Sequence, residues 1–208
     1  MKYFIFRNLK ASFFALLILS FMQTSFSQQN NLGQFDGQAD IGNVKHPGSV
    51  QYNPEKQTYT IEGSGTNMWF GHDEFHFLWK RLSGDFILRA RVRFIGEGVE
   101  LHRKIGWIVR NSLSDSALHV NASLHGDGLM SLQYRTKPGA DTEENTSDKN
   151  HPDVIQLERQ GERFIMSVAS FGETFTSDTI INTAVNEEVF AGLYVCAHNP
   201  DVLEKAVF

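Results

Sequence analysis

An all-β fold, an antiparallel two-sheet jelly-roll sandwich, is the class predicted by the 208-residue sequence, and three observations carry the prediction. Apolar residues recur at every second position in many short runs, which places alternate side chains on opposite faces of strands. Beyond residue 27, no stretch keeps a 3.6-residue apolar period for the ten or more positions that an average helix needs. Clusters of Gly, Asn, Asp and Pro separate the runs at regular intervals, as turn residues do between short strands.

Residues 1–27 stand apart. Lys2, Arg7 and Lys10 precede the apolar run "ASFFALLILSF", and Ser25 and Ser27 supply small residues before Gln28, the three parts of a secretory signal peptide. The apolar core is shorter than the roughly 20 residues that span a bilayer, so no membrane span is expected once the leader is cleaved. The remainder, 28–208, is long enough for one domain with a substantial core. Losing the leader takes the formal charge from −5 to −8, which argues against a nucleic-acid partner. The expected location is periplasmic or extracellular. Cys196 is the single cysteine, so no internal disulfide is available; within "GLYVCAH" it reads as a small buried hydrophobe.

After a polar lead-in over residues 28–49, strands are expected in "SVQYN", "TYTIEG", "EFHFLWK", "DFILRARVRF", "KIGWIVRN", "ALHVNASL", "LMSLQYR", "DVIQLERQ", "RFIMSVAS", "EVFAGLYVCA" and "KAVF". Gln160 and Gly161 read as one hairpin turn and Gly172, in "ASFGETF", as another. Residues 137–153 have no apolar anchor and are expected to form a mobile surface loop.

The stretch "FGHDEFHFLWK" places His72 and His76 four apart, close to the spacing at which a helix points two histidines at one zinc ion. On a strand, four rises separate them by roughly 13 Å, too far for a shared ion. Phe75, Phe77 and Trp79 alternate with Glu74, His76 and Leu78, so the strand is preferred and no metal is assigned. Adjacent carboxylates such as Asp73 and Glu74 point to opposite strand faces, which also disfavours a two-carboxylate glycoside hydrolase.

If the strands from Phe75 to Arg135 form one meander, a single face collects His76, Arg89, Arg91, Arg93, Arg110, His119, Asn121, Gln133 and Arg135. Such a basic face on an acidic domain fits carboxylate, sulfate or hydroxyl ligands, or a solvated sheet face paired with loop acids. The segment "GSGTNMWFGHDE" gathers Trp69, Phe70, His72 and Asp73. An exposed Trp69 offers a face for a pyranose ring with His72 and Asp73 beside it; equally, Trp69 and Phe70 plug the end of the core.

The stretches "YTIEGSGTNMWFGHDEFHFLWKRLSGDFILRARV", "KIGWIVRNSL", "LQYR", "IQLERQGERFIMSVASFGETF" and "VFAGLYVCAHNPD" resemble the concanavalin A-like (laminin G/lectin-like) jelly-roll domains of exported bacterial proteins, of the uncharacterised type found beside TolB-like propellers or sugar-active enzymes. The resemblance runs from about Gly33 to Phe208. Two departures stand out: Ser170, Phe171 and Gly172 replace a Ser-x-Asp-Gly turn, and the last strand stops early at "KAVF". The expected function is a non-catalytic, glycan-binding domain, with ligand at Trp69, His72 and Asp73 or across His76, Arg110, His119 and Arg135. The alternatives are an accessory module that docks a partner domain or protein without its own sugar site, and a hydrolase using His119 or Asp73. No cofactor is expected, although lectin-like jelly rolls often bind calcium; the acidic loops near Asp36, Asp40 and Asp141 are read as solvated.

Overall fold

The computed structural model describes residues 32–182 and 184–208; the expected leader, and the point where it would be cleaved, lie outside the described residues. Fifteen strands follow in chain order: β1 (Gly37–Ile41), β2 (Ser49–Asn53), β3 (Thr58–Gly63), β4 (Phe75–Ser83), β5 (Phe86–Arg91), β6 (Arg93–Ile95), β7 (Lys104–Arg110), β8 (His119–His125), β9 (Met130–Arg135), β10 (Glu143–Thr146), β11 (Val154–Gln160), β12 (Arg163–Ala169), β13 (Thr176–Ile181), β14 (Glu188–Cys196) and β15 (Glu204–Val207). All pairings are antiparallel. No helix among the described residues is long and apolar enough to cross a membrane.

The strands form two layers. One is a seven-stranded sheet in the order β1-β4-β14-β7-β8-β9-β10. The other consists of β13-β12-β11-β5 and β2-β3-β15-β6, linked because β5 and β6 are consecutive parts of one extended run. Alternation explains the core between the layers: Ile105, Trp107 and Val109 of β7, Val120 and Ala122 of β8, and Leu132 of β9 meet Ile155 and Leu157 of β11 and Phe164, Met166 and Val168 of β12. The Gln160–Gly161 hairpin forms as expected, with Gln160 opposite Arg163 and Gly161 at a φ of 60° that a glycine adopts freely. Gly172 likewise turns the chain between β12 and β13.

The seven-stranded sheet also buries its far face. The segment between β3 and β4, residues 64–74, lies over it, and a second apolar cluster of Ile41, Met68, Phe75, Phe77, Ile108, Tyr194 and Cys196 forms beneath. Every residue of β7 and β8 is therefore buried. This two-sided burial corrects the expected parity of β4: Leu78 faces the main core, whereas Phe75 and Phe77 face the second cluster. When both faces of a strand are apolar, alternation no longer says which is inside.

Three further expectations change. Residues 137–153 are not simply a loop, since they supply β10, which pairs with β9 from Glu143↔Tyr134 to Thr146↔Ser131. The polar lead-in supplies β1, paired with β4 from Gly37↔Trp79 to Ile41↔Phe75. Edge pairing is made by backbone groups and needs no apolar side chains, so composition concealed both. The single meander holds for β7, β8 and β9 only. β5 crosses to the other layer, where Arg89 and Arg91 lie over the rings of Phe175 and Phe171, 5.2 and 4.4 Å from their centroids.

Candidate functional site

Antiparallel register places Arg110, His119 and Arg135 in one row across β7, β8 and β9. All three have no exposed surface, because the covering segment sets Asp73 against them. Arg110 Nη1 donates to Asp73 Oδ2 at 2.6 Å, and Arg135 Nη2 donates to Oδ1 at 2.8 Å. The surplus positive charge is spread over backbone carbonyls: Arg110 also donates to Ser114 O, and Arg135 to Ala117 O and Phe70 O. His119 Nδ1 stands 3.6 Å from Asp73 Oδ2, beyond hydrogen-bond length. Burial alone would raise the Asp73 carboxyl, but the adjacent His119 ring and the charges of Arg110 and Arg135 outweigh it and hold the group well below the usual carboxylate range. Burial holds His119 below its ordinary value, against the opposing pull of Asp73. This cluster pins the segment to the sheet.

At the other end of these strands, where β7 begins and β8 and β14 end, is a pocket of about 250 Å³ lined by Asn67, Trp69, His102, Lys104, His125 and His198, with Leu129 and Glu144 completing it. Lys104 and His125 are register partners, so their side chains emerge side by side. His102 precedes β7 and His198 follows β14, where antiparallel neighbours bring both to the same end; their rings are 5.5 Å apart. Trp69 is half-buried, tied down by its carbonyl, which accepts Thr142 N–H at 2.7 Å. Lys104 is 3% exposed, and its Nζ donates to Asn67 Oδ1 and His102 O, both at 3.1 Å. Burial, followed by the Lys104 charge, pushes His125 down to about 3, and the same two causes lower His198. Burial lowers Lys104 itself. His198 has a left-handed backbone, φ 57°.

The structure thus divides the expected site residues. Trp69 lines the pocket. His72 is exposed, with Nδ1 3.1 Å from Asp115 Oδ2, and Asp73 is buried in the ion cluster. Arg110, His119 and Arg135 share a face as expected, but that face is enclosed beneath residues 64–74 rather than open to solvent. His76 is on the opposite face of its strand, 3% exposed, with Nδ1 2.7 Å from Asp40 Oδ1 and Nε2 3.0 Å from Gln38 Oε1. His102, His125 and His198 were not singled out by sequence reasoning. The available signal was positional, since each sits at a strand terminus and antiparallel order gathers those termini. Among the described residues, no group of three or more His, Cys, Asp and Glu side chains is arranged to hold a metal ion.

No protein-family model matches the chain, and no curated protein matches it by sequence. Solved structures do. A functionally unknown protein from Saccharomyces cerevisiae superposes with a TM-score of 0.61 at 15% identity, over 85% of this chain and 94% of that one. A GH43 protein, BlXynB from Bacillus licheniformis, gives a TM-score of 0.51 at 10% identity, over 82% of this chain but only 37% of that one. A prokaryotic β-1,3-1,4-glucanase (lichenase) derived from a mouse hindgut metagenome gives 0.50 at 8% identity, over 85% of this chain and 92% of that one. Together with the two antiparallel layers, these likenesses identify the fold as a concanavalin A-like jelly roll.

Proposed function

We propose that this protein is an exported, non-catalytic carbohydrate-binding domain whose sugar occupies the pocket at Trp69. The observation that carries the reading is the pocket itself: a half-buried indole forms one wall and a ring of hydrogen-bonding side chains, His102, Lys104, His198 and Asn67, forms the others. A pyranose has apolar C–H faces that stack on an aromatic ring and an equator of hydroxyls that need donors and acceptors, so this combination suits it. The fold is one on which a β-1,3-1,4-glucanase is also built, which makes a glycan ligand congruent with it, although function resides in the site and not in the fold. Glu144 is the one carboxylate on the lining, whereas glycosidic hydrolysis generally employs two across a cleft. Binding without cleavage is therefore the reading adopted. The leader-like start of the sequence supports export to the periplasm or the exterior.

The test is a glycan array of neutral and acidic oligosaccharides, run with the protein and with Trp69→Ala. Binding that disappears in the variant, with thermal stability unchanged to within about 2 °C, is the expected outcome. Absence of binding across the array, or release of reducing ends from a bound glycan, would overturn the reading.

A further inference from the structure

The pocket contains a buried lysine without an ion pair, since Glu144, the carboxylate that shares the lining and acts on Lys104 through its charge, stands beyond ion-pair distance. Lys45, Lys80, Lys149 and Lys205 each have a carboxylate within ion-pair distance; Lys104, more buried than any of them, has none among the described residues. A buried ammonium is normally matched by an opposite charge, because removal from water is costly. Two of its three N–H groups are used, on Asn67 Oδ1 and His102 O, and among the described residues the third has no acceptor.

A second donor lies beside it. Gln133 Nε2 is 3.3 Å from Glu144 Oε2, to which it must donate, and this fixes the amide orientation. The same nitrogen is 3.2 Å from His125 Nε2, which therefore accepts, so the imidazole proton is on Nδ1. His125 Nδ1 has no partner among the described residues and its side chain is nine-tenths buried on the pocket wall. Glu144 itself is exposed, on the edge strand β10.

Resting on the glycan-binding reading of the pocket, we infer that the ligand is a uronic-acid-containing saccharide, whose ring stacks on Trp69 and whose carboxylate is the missing counter-ion of Lys104, with His125 Nδ1–H as the second donor. Two unmatched donors, one of them charged, correspond to the two oxygens of a carboxylate. A neutral sugar would leave the ammonium unmatched, and so would be bound less well.

The deciding measurement is calorimetric titration with oligomers of galacturonate, glucuronate and mannuronate, each beside its carboxyl-reduced counterpart, which keeps the linkage and stereochemistry and loses only the charge. At least one uronate is expected to bind roughly 10- to 100-fold tighter than its reduced form, the size that charge-assisted hydrogen bonds imply. Lys104→Met should remove that preference, so that each uronate and its reduced form bind the variant equally; a uronate preference that survives in the variant would overturn the inference. Should the variant not fold, the paired ligands on the unmodified protein still decide. If reduced and acidic forms bind equally and Trp69→Ala weakens both, the uronate inference falls and the glycan reading stands. If none of the oligomers binds, in either form, the inference falls, and the array experiment judges the glycan reading separately.

Discussion

At the scale of single residues, Asp73 is the side chain on which most depends, since it is the carboxylate that Arg110 and Arg135 share where neither has exposed surface. Asp73→Asn is expected to cost about 3–5 kcal/mol in a urea unfolding experiment, the usual penalty for leaving a buried charge unpaired. Its depressed carboxyl also sets the sign of an acid effect. The folded state holds this proton less readily than the unfolded chain. Its contribution is therefore fully present above the unfolded value of about 3.9 and is lost as the pH falls below that toward the folded value. Unfolding free energies measured from pH 6 downward should show the decline, and Asp73→Asn should remove this part of it. His198, held at positive φ in the pocket wall, is a contrary case. His198→Gly should relieve about 1 kcal/mol of backbone strain and raise the melting temperature, while ligand affinity measured by titration falls. None of these roles was legible from residue type alone. The sequence marked Asp73, Arg110 and Arg135 as notable, but whether a charged residue faces solvent or another charge is decided by what lies over it.

At the scale of elements, the strands were the most legible feature and their partners the least. Runs such as "KIGWIVR" and "RFIMSVA" alternate so regularly that their extents can be read directly, whereas β10 has no apolar alternation and β1 only Ala39 and Ile41, and both edge strands are held by backbone pairing to a neighbour. β4 was misoriented for the opposite reason, being apolar on both sides. β7 provides a test of the pairing. Gly106 has φ 152°, and a Cβ there would stand 1.9 Å from Ala122 O on β8. Gly106→Ala should force the β7–β8 ladder apart and destabilise the protein by more than about 1–3 kcal/mol, the strain of an unfavourable backbone alone. Faster amide hydrogen exchange in β7 and β8 than in β11 and β12 would localise the damage; uniform exchange would contradict it.

At the scale of the whole molecule, stability depends on two apolar clusters on either side of one sheet, with no disulfide. Cys196 belongs to the smaller cluster, and burial pushes its thiol up to about 11. At pH 8 the native protein should leave a chromogenic disulfide reagent almost unreacted, and one thiol per chain should appear on adding denaturant. Rapid reaction of the native protein would mean that the cover over this face opens readily.

That cover, residues 64–74, has a consequence for how the protein can diverge. Connections between strands ordinarily accept insertions and substitutions while the strands keep their sequence. Here the connection between β3 and β4 supplies Met68 to a core, Asp73 to an ion cluster and Trp69 to the pocket, each at a fixed distance along the chain. An added or deleted residue would misplace at least one of the three. Among descendants of a common ancestor this connection should therefore keep its length and its character more strictly than edge strands β10 and β13, and a lineage that lost Trp69 while retaining Met68 and Asp73 would mark a protein that kept the fold and gave up the ligand.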